Sequence, residues 1–270
     1  ARQMIGWRWP RNIELSLCYQ MLTMLRRGNR IRVKYTAGVI EVDLNYDLAV
    51  GTTRELNQKL NSASTKDADV SFRVLNPKGA HALAVGMTSN ISVDIEGHVG
   101  YYCAGMNQKA HITVLGNAGP AVAENMMSGR VTVSGNVSHY AAASAHGGLL
   151  VVEGDSSSRC GISLKGAHIV VKGSVGHMSA FMAQSGSMVV CGDAGEARGD
   201  SLYEARLYVR GNVASLGTDC VEKTMLDEHK REIDGLLERS GITDADASEF
   251  RRFGSARKLY NFDVDNADAY

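Results

Sequence analysis

Proline is nearly missing from this chain of 270 residues, with 3, and aromatic side chains make up only 6% of it. Net charge is missing as well, because 29 basic and 29 acidic side chains cancel. That balance excludes a bulk electrostatic pull toward nucleic acid or an anionic membrane. No apolar run approaches the roughly 20 residues that a membrane-spanning helix needs. Residues 12–25, NIELSLCYQMLTML, lie between arginines in the manner of a signal peptide. Glu14 interrupts their apolar part, however, and no small-residue cleavage site follows. The sequence does not open on methionine, and residues 1–46 stand apart as an atypical extension. Five cysteines (Cys18, Cys103, Cys160, Cys191 and Cys220) form no CxxC pair and no zinc spacing. Reduced thiols in a cytoplasmic protein are therefore expected. Glycine is plentiful, at 29 residues. Much glycine with little proline points to regular, tightly turning structure and away from a disordered linker.

The glycines recur. Gly97, Gly116, Gly135, Gly154, Gly173, Gly192 and Gly211 are spaced at 19 residues without insertion. Two positions before each stands a β-branched residue: Ile95, Val114, Val133, Val152, Val171, Val190 and Val209. Four before each stands an apolar one: Val93, Ile112, Val131, Leu150, Ile169, Met188 and Leu207. The period of two predicts a strand with both columns on one face. Two further columns, six before and seven after the glycine, hold almost only small residues, as corners between close-passing coils require. The fold predicted is an all-β solenoid, a right-handed parallel β-helix of 19-residue coils. Nineteen is not a multiple of six, which disfavours a left-handed hexapeptide helix. The β-helix is assigned to residues 47–221, clearest over 91–215, with the repeat glycines as structural turns.

A solenoid needs covered ends. Residues 47–61 read as a short strand and then a helix from near Thr53. Residues 70–96 read as strands leading into the first full coil. Residues 222–241 read as a helix with Met225, His229, Ile233, Leu236 and Leu237 on one face and Gly241 as its stop. The segment 222–270 is thus a carboxy-terminal helix plus a docking tail.

Catalytic constellations are thin. Pairs such as Gly116/Gly119 suggest phosphate loops, but no GxGxxG opens a helix and no GxxxxGK occurs. His139 and His177 share a column two coils apart, roughly 9.6 Å, and His111 and His168 one three coils apart, roughly 14 Å. One metal ion does not bridge either gap. Asp155, Asp193 and Asp200 lie among turn residues, where turn chemistry explains them better than a polysaccharide-cleaving acid cluster. No catalytic, cofactor-binding or metal-ligating residue is assigned. Two loops, GYYCAGMNQ (100–108) and GPAVAENMMSGR (119–130), and the segment around Phe181 carry large apolar residues at bends. Tyr101, Tyr102, Met106, Met126, Met127 and Phe181 are candidate partner contacts. So are Arg251, Arg252, Arg257 and Tyr260 in the tail, where arginines and aromatics combine as they do in interfaces.

The runs GHVGYYCAGMN, AENMMSG, RCGISLKG, GSVGHMSAFMAQ and GDSLYEARLYVRGNV carry a resemblance. From about Asp47 to Asn266 the chain resembles the GXGXG family. That family includes the carboxy-terminal β-helix domain of the glutamate synthase large subunit and the GXGXG-repeat subunit of formylmethanofuran dehydrogenase. As a separate chain it is most similar to the B-type subunit of N-methylglutamate synthase. The resemblance implies a non-catalytic scaffold bridging an amidotransferase-like subunit and a flavin/iron–sulfur subunit. It implies FMN and an iron–sulfur cluster in that partner and none in this chain. The implied reaction converts glutamate and methylamine to N-methylglutamate and ammonia. A sequence beginning Ala1-Arg2, without an amino-terminal cysteine nucleophile or an iron–sulfur motif, is expected of such a scaffold. The alternatives are the GXGXG-repeat subunit of a formylmethanofuran dehydrogenase or formyltransferase/hydrolase complex, a polymer-acting β-helix enzyme and a structural homo-oligomer.

Overall fold

A computed structural model describes residues 31–36, 39–63 and 68–259. Tyr260 and most of the atypical extension over residues 1–46 lie outside them. One twelve-stranded sheet dominates, in the order β1 (Ile31–Thr36), β2 (Val39–Asp47), β3 (Ala68–Leu75), β4 (Ser92–Ile95), β5 (His111–Val114), β6 (Arg130–Val133), β7 (Leu149–Val152), β8 (Lys165–Val171), β9 (Ser185–Val190), β10 (Arg206–Val209), β12 (Arg251–Ser255), β11 (Cys220–Lys223). From β2 to β10 every pairing is parallel. Register follows the repeat. Val93 pairs with Ile112, Ile112 with Val131, and so on to Met188 with Leu207. The chain is a parallel β-solenoid of about seven coils.

Both apolar columns point into the lumen. All fourteen of their side chains are at most 1% exposed. Each coil thus repeats the same inward pair because the coil stacked on it presents that pair. The +7 column is small for a second reason. Ala104, Ala123, Ala142, Gly161, Ala180 and Gly199 all adopt left-handed backbone, with φ between 51° and 66°. Residues at +5 and +9 do the same, from Tyr102 and Met106 through Ala197 and Ser201. Backbone N–H groups along this bend are nevertheless satisfied, alternately by the following and the preceding coil: Tyr102 N–H donates to Pro120 O, Ala104 N–H to Leu83 O and Met106 N–H to Glu124 O, each at 2.8–2.9 Å.

The repeat glycines require a different explanation from turn conformation. Of the seven, only Gly97 has positive φ. The others are glycine because a Cβ there would collide with the coil below: at Gly116 it would lie 2.7 Å from the Gly97 carbonyl carbon. At Gly135 it would lie 2.2 Å from Asn117 Oδ1. That oxygen belongs to a side-chain ladder one position after the glycines. Asn117 Oδ1 accepts the Asn136 N–H, Asn136 Oδ1 the Asp155 N–H, and Asp155 Oδ1 the Ser174 N–H, each at 2.8 Å. The ladder continues from Ser174 Oγ to the Asp193 N–H at 3.0 Å and from Asp193 Oδ1 to the Asn212 N–H at 2.7 Å.

Two helices are described. α1 (Thr53–Ser62) starts where expected, capped by Thr52 and Glu55 in a reciprocal capping box. The stretch before it, read as a short strand, is instead a turn closed by Gly51 N–H to Asp47 O at 3.0 Å. α2 spans Asp227–Ser240 and stops at Gly241 in left-handed conformation. It begins later than the 222–241 reading because residues 220–223 pair antiparallel with β12, Val221 opposite Gly254. The tail's strand overrides the local helical pattern there. Ile233, Leu236 and Leu237 of α2 cover Leu149, Val151, Val170, Val189 and Tyr208 on the outside of the sheet, and Phe250 joins them.

Candidate functional site

Glu232 fixes this helix on the sheet. Its carboxylate accepts from Ser187 Oγ at 2.5 Å, Tyr208 OH at 2.5 Å and Arg206 Nη2 at 2.9 Å. Burial works against the charged form, but these donors prevail and hold the carboxyl below its ordinary range. The same burial and the Glu232 partner push the Tyr208 phenol far up. Arg130 Nη1 donates to the last-turn carbonyl of Arg239. This partly exposed polar cluster ties the chain's own helix to the sheet.

The tail arginines are similarly committed. Arg251 Nη2 donates to Gly211 O at 3.2 Å, and its Nη1 lies 3.6 Å from Glu222. Arg252 Nη1 donates to Thr224 O at 3.1 Å. Arg257 reaches both oxygens of Glu204 at 2.8 and 3.0 Å. Phe250 and Phe253 are buried. The tail therefore docks on its own solenoid through these residues, closing the end of the stack. Arg251 and Arg257 remain exposed.

The bend from +4 to +11 of each coil forms a different kind of surface. Tyr101, Met106, Met127, Tyr140, Met182 and Leu216 all come from this bend and are each between 37% and 52% exposed. Tyr102 and Phe181 are half-buried beside them. Met126 departs from the expectation. Its side chain is fully buried in the lumen, because it lies at the inward +10 phase, so it offers nothing to a partner. Glu124 lies on this face, and burial raises its carboxyl above the ordinary range. These side chains recur at the bend with polar residues between them, Asn125, Ser144 and Ser163 separating Met106 from Met182 in one column, and they are the exposed apolar points a partner could contact.

Potential metal ligands are dispersed among the described residues. Register puts His111 and His168 three coils apart. Among the described residues no group of three or more His, Cys, Asp or Glu side chains converges on a metal position. His139 Nδ1 lies 3.1 Å from Ser157 Oγ, and His98 Nδ1 accepts the Asn117 N–H at 2.9 Å. Asp155 and Asp193 serve the ladder; Asp200 accepts from Ser201 Oγ and the Thr218 N–H. Cys103, Cys160, Cys191 and Cys220 are free and buried. Burial pushes the Cys103 thiol up to about 12 and those of Cys160 and Cys220 up to about 11. Such thiols are poor nucleophiles.

Two sequence signals foretell this arrangement. The outward column three before the glycine changes from Asp94, Thr113, Thr132 to Val151, Val170, Val189, Tyr208, which marks where the helix lies. The +1 column, Asn117, Asn136, Asp155, Ser174, Asp193, Asn212, holds side-chain acceptors throughout, which marks the ladder. No described helix is long and apolar enough to cross a membrane.

Among curated proteins, the chain is similar to Protein GlxC of Rhizobium meliloti (strain 1021). The two are 58% identical over 224 residues, covering 83% of this chain and 98% of that protein. No protein-family model matches the sequence.

Proposed function

The chain belongs to the family of Protein GlxC, and from that premise we propose that it is the scaffold subunit of a glutamate-synthase-like complex. In this reading it performs no chemistry itself. It holds an amidotransferase-like subunit and a flavin/iron–sulfur subunit at fixed spacing, with FMN and the cluster in the latter. The complex makes N-methylglutamate from glutamate and methylamine. The observation that carries the reading is the set of exposed apolar side chains spaced along the bend, from Tyr101 to Leu216, on a rod built from register-locked coils. Rigid spacing raises the effective concentration of one active centre at the other and limits loss of a small amine to solvent.

Gentle purification of the tagged chain from its own host tests this. Co-elution of an amidotransferase-like chain and a flavin-absorbing chain is expected, with methylamine-dependent turnover by the recovered complex. Formyltransferase-type partners would assign the chain to the other branch of its resemblance. A colourless chain eluting alone would overturn the scaffold reading.

A further inference from the structure

Among the described residues the lumen of the solenoid holds a cation, Arg198, as well as polar groups such as Asn107 that are hydrogen-bonded. Arg198 is fully buried, six positions after Gly192 and therefore inward-facing. Below it in the same column are Ser179, Cys160 and Ala141. Its Nη1 donates to Ser179 Oγ at 2.9 Å and approaches Met188 Sδ at 3.6 Å. Nε and Nη2 have no hydrogen-bond partner among the described residues. A guanidinium carries five N–H donors, and the three on these two nitrogens are left over.

The charge is also unmatched. Burial lowers the Arg198 guanidinium to about 10, which leaves it cationic at neutral pH. The groups that act on it electrostatically are the thiols of Cys160 and Cys220, both held protonated at neutral pH by burial. The small column also changes in the coils beside Met188 and Cys220, two neighbours of this cation. The column that is alanine at 104, 123, 142 and 180 becomes glycine at 161 and 199. A Cβ on Gly161 would lie 2.5 Å from Met188 Cε, and one on Gly199 would lie 2.9 Å from Cys220 Sγ. The side chains around the guanidinium thus use volume that alanine fills in other coils. Water would satisfy the free donors but leave the buried charge uncompensated, which is unfavourable without a counter-ion.

We propose that Arg198 is the anchor of an internal anion site in the solenoid lumen, which takes a small monovalent inorganic ion of chloride size on Nε and Nη2. The inference is independent of the scaffold reading, since it concerns the rod's interior and not its partners.

Bromide is the probe. The full chain, with any partners that stay bound, is crystallised from sodium bromide, and anomalous scattering locates the ion. An anomalous peak within hydrogen-bonding distance of Nε and Nη2 is expected. In solution, bromide replacing gluconate at constant ionic strength should raise the melting midpoint by about 5–10 °C at a hundredfold excess over the dissociation constant. Arg198→Met should lose that response. Ordered water alone on both nitrogens would overturn the site, as would an unchanged bromide response in the variant. Thiolate ultraviolet absorbance at neutral pH that disappears in Cys160→Ser or Cys220→Ser would also overturn it, because the counter-charge would then be a cysteine. If Arg198→Met does not fold, the anomalous map of the unaltered chain decides.

Discussion

Replacing Gly135 by alanine tests why the repeat glycines are there. The added Cβ would lie 2.2 Å from Asn117 Oδ1 and 2.9 Å from Gly116 O. The coil cannot simply rise to relieve this. Ser134 N–H and Gly135 N–H are bonded to Val114 O and Gly116 O of the coil below, both at 3.0 Å. Overpacking of this kind costs about 1–3 kcal/mol. Turning Asn117 aside removes its bond to the Asn136 N–H, worth about 0.5–1.5 kcal/mol. Gly135→Ala should therefore destabilise by about 2–4 kcal/mol. An internal control exists in α2, where a Cβ on Gly235 meets nothing within 4 Å. Gly235→Ala should stabilise by about 0.5–1 kcal/mol, because alanine is the better helix former. Urea unfolding followed by far-ultraviolet circular dichroism compares the two. Adding Asn117→Ala to Gly135→Ala should recover part of the loss, since the nearest obstructing atom is then gone. The reasoning fails if Gly135→Ala unfolds at the wild-type urea concentration, or if the second substitution recovers nothing.

Glu232→Gln should loosen α2 by about 2–4 kcal/mol, read as faster amide exchange in the helix while the strands stay protected. The carboxyl's folded pKa is depressed, so its contribution is present above the ordinary glutamate range and lost as pH falls through the folded value. Stability of the wild type should drop more steeply with acid than that of Glu232→Gln. The thiols of Cys103, Cys160, Cys191 and Cys220 should resist iodoacetamide at neutral pH in the folded chain and react once it is unfolded in urea, as mass spectrometry would show. Rapid native labelling of any of the four would contradict their burial. Met106→Lys with Met182→Lys should change urea stability by less than about 0.5 kcal/mol, as exposed sites do. The same pair should abolish co-purification of partner chains; undiminished recovery would place the interface elsewhere.

The difference between what was legible in this sequence and what was not follows the length scale of each constraint. Val114 and Val133 sit 19 residues apart and pair directly, so their periodicity is their contact map, and the inward columns could be read without coordinates. Gly116 and Gly135 were legible as special positions but not for the right reason. A turn and a backbone close approach both select glycine, and only φ together with the neighbouring coil separates them. The helix over 222–241 was placed correctly for Ile233, Leu236 and Leu237 and wrongly for its first residues, because Cys220 to Lys223 pair with Arg252 to Ser255, a partner some thirty residues on that no local period reveals. Met126 and Met127 make the same point within one bend. They are adjacent and chemically identical, yet one fills the lumen and the other faces out, so residue type alone could not sort interface from core. Column phase could have, since Ala145 and Leu164, at the phase of Met126, are also buried. In a solenoid the phase within the coil carries more information about a side chain's surroundings than its identity does. That is why Arg198, a cation at a phase held in the other coils by Cys103, Val122, Ala141, Cys160, Ser179 and Gly217, stands out once the columns are aligned.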